Sequence, residues 1–255
     1  MIKAIFFDID GTLISIGNKR MPQDTIDALK KLRERGIKIF LASGRGVRQL
    51  EVITKDVKFD GYITLNGQIC LDEQLQLYFG NEIPKEDWNV LQELFESKAL
   101  PAIIVEENRS YMNYQDDFTE RVQKEIGVKG TPLGTYEGAP VYQMILYADA
   151  PYAEKLFEKL PHCKWSRWHP NGIDIFSKNG GKMTGIEKTL EYFGIKREET
   201  MAFGDGDNDV EMLKYVEIGI AMGNAEERTK AVADYVTSAQ HQQGISRALE
   251  HFGLI

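Results

Sequence analysis

The feature that most restricts the fold of this sequence is the stretch Ile5 to Leu13, I-F-F-D-I-D-G-T-L. A near-continuous apolar run ends there in two aspartates, and such a run is typical of a strand that is covered on both faces. Carboxylates at the end of a buried strand are costly unless another group neutralises them. The stretch therefore predicts a central strand that brings Asp8 and Asp10 to a site where their charge is compensated.

Strands and helices alternate in the first and last thirds of the chain. Apolar runs predict strands, and the spacing of apolar residues predicts helices over 22–35 and 182–193. This alternation predicts an α/β fold with a doubly wound, Rossmann-like parallel sheet and right-handed crossovers. The predicted strands are 2–7, 37–42, 61–65, 201–203 and 218–221.

Residues 81–179 have a different pattern, in which paired strand-like runs stand beside helices. That pattern is typical of an α+β layer with an antiparallel sheet. We expect a domain over 81–179 inserted into a core that comprises 1–80 and 180–255. Turn-rich stretches at 79–84 and 179–181 are the expected hinges.

Composition excludes several classes of protein. A formal net charge of −8 argues against a nucleic-acid or membrane-surface binder. No apolar stretch approaches the roughly 20 residues that cross a bilayer, and the opening apolar run is too short for a signal peptide. Cys70 and Cys163 lie far apart without a CxxC pattern. We expect a cytoplasmic protein that is a monomer or a weak dimer.

Polar residues follow four of the predicted strands, and ligands of open α/β sheets bind outside the carboxyl ends of strands. Each residue alone has a structural explanation, since Asp and Ser are common caps and turn formers. That explanation is weak for the whole set. The set comprises Asp8 and Asp10, then Ser43, Gly44 and Arg45, then Asn66 and Gly67, then Lys182 at a helix start, and finally Asp205, Asn208 and Asp209.

Clustered carboxylates together with a lysine suggest phosphate chemistry. Carboxylates repel one another, and a hard cation such as Mg²⁺ with oxygen ligands relieves that repulsion. Lys182, Ser43 and backbone N–H groups after Asp8 are the donors that a phosphate group needs. One aspartate can attack phosphorus to give an aspartyl phosphate. A second aspartate two residues on shares its face in an extended chain and can transfer protons.

Three other motifs are excluded by their spacing. From Asp205, a calcium loop would need glycine at position six and glutamate at position twelve, where this chain has Val210 and Val216. A dinucleotide fingerprint would need glycine in place of Asp209, and no P-loop sequence occurs.

With these motifs assembled, the chain resembles the haloacid dehalogenase superfamily of phosphatases, and within it the Cof-type, sugar-phosphatase-like branch. The resemblance rests on D-I-D-G-T at 8–12, S-G-R at 43–45 and G-D-G-D-N-D at 204–209. Asn66-Gly67 and Met222-Gly223-Asn224-Ala225 also match the branch. Many members have Lys-Gly at the lysine motif, where this chain has Gly-Gly-Lys182-Met-Thr-Gly.

The resemblance implies roles for the acids. Asp8 would be the nucleophile and a ligand of Mg²⁺. Asp10 would be the general acid and base, and its backbone carbonyl would also bind the metal. Asp205 would be the third ligand, and Asp209 would lie in the outer shell of the metal or steady Lys182.

The resemblance also implies which residues bind the phosphate and the substrate. Ser43, Gly44, Lys182 and Asn208 would hold the phosphoryl group. Thr12 would fix the loop or serve as a simple turn hydroxyl, and Arg45 would touch the phosphate or leaving group, or form a structural ion pair. Residues 81–179 would be a large α/β cap of the C2 type, which closes over the site. Asn66 is a candidate substrate contact. From the aromatic and polar cluster at 165–171 we also expect His169 or Arg167 to reach the leaving group, with aromatics in the core of the cap and a surface histidine as the alternative.

The sequence thus predicts a Mg²⁺-dependent phosphatase of small phosphorylated metabolites such as sugar phosphates. A phosphomutase or phosphotransferase would use the same aspartyl phosphate and is the nearest alternative. A phospho-aspartate signalling receiver is a second alternative, but it would lack the second acid of D-x-D and the large insert.

Overall fold

The computed structural model of the chain describes residues 1–15, 20–125 and 130–255. These residues form two compact units, Met1–Gly80 with Gly180–Ile255, and Asn81–Asn179. Each unit has its own sheet. In these ranges we find no helix with the length and apolar character that a membrane span needs.

The strands and α-helices of the described residues are numbered along the chain. The strands are β1 (Ala4–Phe7), β2 (Lys38–Ala42), β3 (Gly61–Thr64), β4 (Ile69–Asp72), β5 (Leu77–Gly80), β6 (Ala102–Val105), β7 (Ser110–Met112), β8 (Gln143–Leu146), β9 (Cys163–His169), β10 (Gly172–Ser177), β11 (Thr200–Gly204), β12 (Ile218–Ala221) and β13 (Tyr235–Val236). The helices are α1 (Gln23–Glu34), α2 (Glu51–Thr54), α3 (Lys85–Glu96), α4 (Asp117–Glu125), α5 (Ala150–Phe157), α6 (Lys182–Phe193), α7 (Val210–Tyr215), α8 (Glu227–Lys230) and α9 (Gly244–His251).

The sheet of the first unit has the strand order β13-β12-β11-β1-β2-β3-β4-β5. Neighbouring strands from β13 to β3 are parallel, so their carboxyl ends lie along one edge of the sheet. The predicted strands of this sheet are parallel, and β4 and β5, for which the sequence predicted no strands, are antiparallel to their neighbours. The short 3₁₀ turn Leu65–Gly67 joins β3 to β4 and cannot accommodate the crossover that a parallel pair requires. Part of the expected hinge at 79–84, Phe79 and Gly80, lies in β5.

The strand β1 lies in the middle of this sheet and is buried along its whole length. Its aromatic rings stack on those of both neighbouring strands. The ring of Phe7 lies 5.1 Å from that of Phe203, and the ring of Phe6 lies 5.0 Å from that of Phe40. Because close-packed interiors resist displacement, the carboxyl end of β1 is a rigid support for the residues that follow.

The helix α6 begins at the lysine motif, directly against the turn after β3. A Cβ atom on Gly67, whose φ is +84°, would lie 2.0 Å from the carbonyl oxygen of Gly181. A Cβ atom on Gly180 would meet the side chain of Gln68 at 1.9 Å. Gly67 and Gly180 therefore let the two segments approach each other closely where α6 starts at Lys182.

The second unit contains a five-stranded antiparallel sheet in the order β7-β6-β8-β10-β9. Leu91, Ile104 and Ile175 are among the residues of its larger core, and Ile103 and Val122 belong to a smaller one. This unit therefore has the hydrophobic interior that an independent domain requires.

Replacing Phe203 by alanine tests the importance of the ring stack under β1. Phe203 is fully buried, so the truncation should lower the free energy of unfolding by about 3–5 kcal/mol. Urea denaturation followed by circular dichroism measures this change. The control Val236→Ala, at a half-exposed position, should stay within about 0.5 kcal/mol. Equal effects of the two substitutions would contradict the packing described here.

Candidate active site

Lys182 joins two of the predicted site acids. Its Nζ atom lies 2.5 Å from Oδ1 of Asp8 and 2.6 Å from Oδ1 of Asp209, and its side chain is fully buried. Burial alone would lower the pKa of Lys182, but the carboxylates of Asp209 and Asp8 raise it above its ordinary value. Lys182 therefore carries a fixed positive charge between the end of β1 and the residues after β11.

Asp209 uses its second carboxylate oxygen to shape the loop after β11. Its Oδ2 accepts hydrogen bonds from the backbone N–H groups of Asp205 and Gly206, at 2.9 and 3.0 Å. Gly204 makes this close approach feasible, because a Cβ atom there would lie 2.5 Å from Cβ of Asp209. Both carboxylate oxygens of Asp209 therefore have hydrogen-bond partners, Lys182 on Oδ1 and two backbone N–H groups on Oδ2.

Asp205 faces the turn that follows β1, which we call the β1 turn (residues 9–14). The hydroxyl of Thr12 donates to Oδ1 of Asp205 at 2.8 Å. A Cβ atom on Gly11, whose φ is +91°, would lie 2.0 Å from Oδ2 of Asp205. A glycine at this position is thus required both by the backbone conformation and by the nearby carboxylate.

Three carboxylates of this site are close enough to share one cation. Asp8, Asp205 and Asp209 each offer an oxygen, and these oxygens lie within 4.8 Å of one another. Burial raises the pKa of Asp8 to about 8, although Lys182 lowers it. Burial also raises the pKa of Asp205 to about 6, against the hydrogen bond from Thr12. Three buried acids with one lysine leave an excess of negative charge, so this all-oxygen site fits a hard divalent cation.

Asp10 has a different environment from Asp8. Its side chain is 45% exposed and forms a two-point ion pair with Arg45, in which Nε and Nη2 donate to its two oxygens at 2.8 and 2.6 Å. The backbone N–H of Arg45 also donates to the hydroxyl oxygen of Ser43 at 3.2 Å. Of the roles considered for Arg45, the ion pair is the one seen in this structure, and its partner is itself a predicted site residue.

The other residues predicted to bind phosphate or substrate lie after β2, β3 and β11. Ser43 is buried at the end of β2, and its amide donates to the carbonyl of Ile63. The side-chain amide of Asn208, which is exposed, donates to that of the half-buried Asn66 at 3.0 Å. Gly44 lies beneath Asn66, since a Cβ atom on Gly44 would lie 3.1 Å from its Nδ2.

His169 lies in the second unit, at the end of β9. Its Nδ1 accepts a hydrogen bond from the backbone N–H of Asn171 at 3.2 Å, and its Nε2 lies 3.5 Å from a carboxylate oxygen of Glu125. Both ring nitrogens therefore have partners within this unit. Arg167, on the same strand, donates to the carbonyl oxygen of Pro170 at 2.9 Å.

Two polar residues that received no role from the sequence contact the β1 turn. Asn224 follows β12, and Gln240 follows β13. The side chains of Asn224 and Gln240 bond to the carbonyl oxygens of Gly11 and Leu13, respectively. The rule that sites form at carboxyl ends of strands could have suggested both, but neither residue type signals a role by itself.

Comparison with known proteins identifies close similarities over the whole chain. Residues 5–249 match the family of haloacid dehalogenase-like hydrolases. The protein YkrA of Bacillus subtilis is 31% identical over 258 residues, which cover 99% of this chain and 98% of YkrA. The solved structure of BT1666, a phosphatase of the same superfamily from Bacteroides thetaiotaomicron, has a TM-score of 0.89 and is 34% identical. The match covers 100% of this chain and 96% of the BT1666 chain. The subclass IIB sugar phosphatase BT4131 has a TM-score of 0.83 at 37% identity, and the match covers 99% of this chain and 100% of the BT4131 chain. The predicted α/β fold and the family resemblance are thereby confirmed.

A divalent cation should stabilise the protein more at pH 8 than at pH 6. The folded-state pKa values of Asp8 and Asp205 lie above their ordinary values. Without metal the folded state therefore binds extra protons between about pH 4 and about pH 8, and its stability falls as the pH rises through that range. A cation competes with these protons and gains affinity as they leave. A cation at a hundred times its Kd adds about 2.7 kcal/mol of stability.

Thermal melting with Mg²⁺ and with a chelator, at both pH values, measures this difference. Asp205→Asn removes one carboxylate and should reduce the rise in melting temperature that the cation causes, whereas the exposed control Asp27→Asn should not. A rise in melting temperature that is independent of pH and unaffected by Asp205→Asn would place the cation elsewhere.

Proposed function

The chain belongs to the haloacid dehalogenase-like hydrolases and is a hydrolase of phosphate esters, and we propose that it is a Mg²⁺-dependent phosphatase of small phosphorylated metabolites. The reaction proceeds through an aspartyl phosphate on Asp8. The observation that carries this proposal is the bridge from Lys182 to Asp8 and Asp209, next to the carboxylate of Asp205.

Asp8 is the nucleophile in this proposal. It is only 6% exposed, and the close-packed end of β1 together with Lys182 fixes its position. Such preorganisation favours attack, because a reactive group that is already oriented loses little entropy in the transition state. A carboxylate oxygen of Asp8 forms a bond to phosphorus while the bond from phosphorus to the leaving oxygen breaks.

Asp10 transfers the protons in both halves of the reaction. It protonates the leaving oxygen in the first half and takes a proton from water in the second. That water attacks phosphorus, the bond to Asp8 breaks, and inorganic phosphate leaves. The exposure of Asp10 supports this role, since leaving group and water both need access to it.

Asp8, Asp205 and the backbone carbonyl of Asp10 would hold the Mg²⁺ ion. When bound, the ion would neutralise negative charge on the phosphate oxygens and on the acids. The hydrogen bonds of Asp209 support a place for it outside the inner shell, because both of its oxygens are already occupied.

The phosphoryl group would be bound by residues that follow two strands, β2 and β11, and by the first residue of α6. Lys182 supplies the positive charge, and Ser43, Gly44 and Asn208 supply neutral hydrogen-bond donors. In this proposal Thr12 holds Asp205 in place and Arg45 orients Asp10, as their hydrogen bonds suggest.

Residues 81–179 would act as the cap that recognises the leaving group, with Asn66 and His169 as candidate substrate contacts. The similarity to the sugar phosphatase BT4131 supports sugar phosphates as the substrate class. Asn66 suits such a substrate, since its amide is only half-buried and lies beside the exposed amide of Asn208.

Replacing Asp8 by asparagine should lower phosphatase activity by at least about a thousandfold, because it removes the nucleophile. Release of inorganic phosphate from para-nitrophenyl phosphate and from a panel of sugar phosphates, with Mg²⁺ or chelator, measures this loss. The exposed residue Asp27 provides the control Asp27→Asn, which should retain full activity. Retained activity in Asp8→Asn would refute the mechanism, and phosphate transfer between sugar positions without release would favour a phosphomutase.

Replacing His169 by alanine should change the relative kcat/KM values of different sugar phosphates. The kcat/KM for para-nitrophenyl phosphate should stay within about threefold of wild type, as expected for a residue that contacts the leaving group. His162→Ala is a matched control, because His162 is a half-exposed histidine of the same unit. An unchanged substrate profile in His169→Ala would assign this histidine a purely structural role.

A further inference from the structure

The β1 turn is tied to distant parts of the chain at three consecutive residues. The carbonyl oxygen of Gly11 accepts from Nδ2 of Asn224 at 2.9 Å. The next residue, Thr12, donates to Asp205. The carbonyl oxygen of Leu13 accepts from Nε2 of Gln240 at 3.2 Å. Partners more than 190 positions away in the chain therefore hold residues 11–13 of a turn that also carries Asp10.

The internal hydrogen bonds of the turn explain why two of its carbonyls point outward. The carbonyl oxygen of Ile9 accepts the backbone N–H groups of Leu13 and Ile14, both at 3.0 Å, and the N–H of Gly11 donates to Ile14. These bonds close the turn on itself but leave the carbonyls of Gly11 and Leu13 to other donors. The amides of Asn224 and Gln240 supply those donors.

Asn224 and Gln240 are also joined to each other. The backbone N–H of Gln240 donates to Oδ1 of Asn224 at 2.8 Å, and Oε1 of Gln240 accepts from the hydroxyl of Ser15 at 2.5 Å. A Cβ atom on Gly223 would lie 2.5 Å from the backbone nitrogen of Ala239, so the two loops after β12 and β13 are in direct contact. A hydrogen bond therefore links the two residues, which we call the amide clamp (Asn224 and Gln240).

We propose that the amide clamp is a positioning device for the phosphatase reaction. By fixing the carbonyls of Gly11 and Leu13, it sets the path of the β1 turn and so the direction in which Asp10 presents its carboxyl group. This inference rests on the proposed function, in which Asp10 protonates the leaving oxygen. A displacement of about 1 Å in such a group lowers rates by about a hundredfold.

Isosteric substitutions separate the donor function of the clamp from its other bonds. Asn224→Asp keeps the oxygen that accepts from Gln240 but loses the donor to Gly11. Gln240→Glu keeps the oxygen that accepts from Ser15 but loses the donor to Leu13. The alanine variants at both positions report whether an effect comes from the lost donor rather than from a new negative charge.

Steady-state kinetics on two aryl phosphates test the clamp. We expect kcat to fall about tenfold to hundredfold in all four variants, with KM within about threefold of wild type. The loss should be larger for phenyl phosphate than for para-nitrophenyl phosphate, because the more basic leaving group depends more on protonation by Asp10. Gln242→Ala, at an exposed position two residues on, is the control and should behave as wild type.

Several outcomes would overturn the inference. Wild-type kcat in the four variants, with Asp8→Asn inactive, would refute the clamp and leave the proposed function intact. Equal losses on both substrates, together with a lower melting temperature, would show that the two amides only stabilise the fold. An inactive wild-type protein would refute the proposed function itself, and the clamp would fail with it.

Discussion

The bridge that Lys182 makes between Asp8 and Asp209 is the interaction on which the rest of the site depends. It joins the end of the central strand β1, the start of α6 and the loop after β11 through one buried cation. A buried ion pair rarely adds stability over an apolar pair of the same size, because removing the charges from water is costly. Its presence in the core of this sheet is better explained by chemistry that needs fixed charges.

The two aspartates of D-x-D lie in different environments. Asp8 is buried in the cluster of acids, where a lysine and a cation are needed to keep it ionised. Asp10 is 45% exposed, is paired with Arg45 and is not one of the three clustered acids. Two residues apart in the chain, they are suited to different tasks, nucleophilic attack and proton transfer.

Much of this arrangement could be predicted from local sequence patterns, and the remainder depends on packing. The apolar run before Asp8 and the spacing of apolar residues after Lys182 predicted β1 and α6, because both patterns are local. The hairpin of β4 and β5 was missed, since such short runs differ little from loops. The pairing of Arg45 with Asp10 and the contacts of Gln240 with the β1 turn join residues 35 and more than 220 positions apart. The rule on carboxyl ends of strands places these residues at one edge of the sheet but does not tell which of them contact each other.

In the proposed mechanism, Asp8 accepts a phosphoryl group beside a cation and Lys182. A crystal structure of the protein grown with Mg²⁺ and beryllofluoride, an analogue of a phosphoryl group bound to aspartate, tests it most directly. We expect beryllium bonded to a carboxylate oxygen of Asp8, Mg²⁺ between Asp8 and Asp205, and Lys182 in contact with fluoride. Beryllofluoride on another residue, or a cation that does not contact Asp8, would rule out this mechanism.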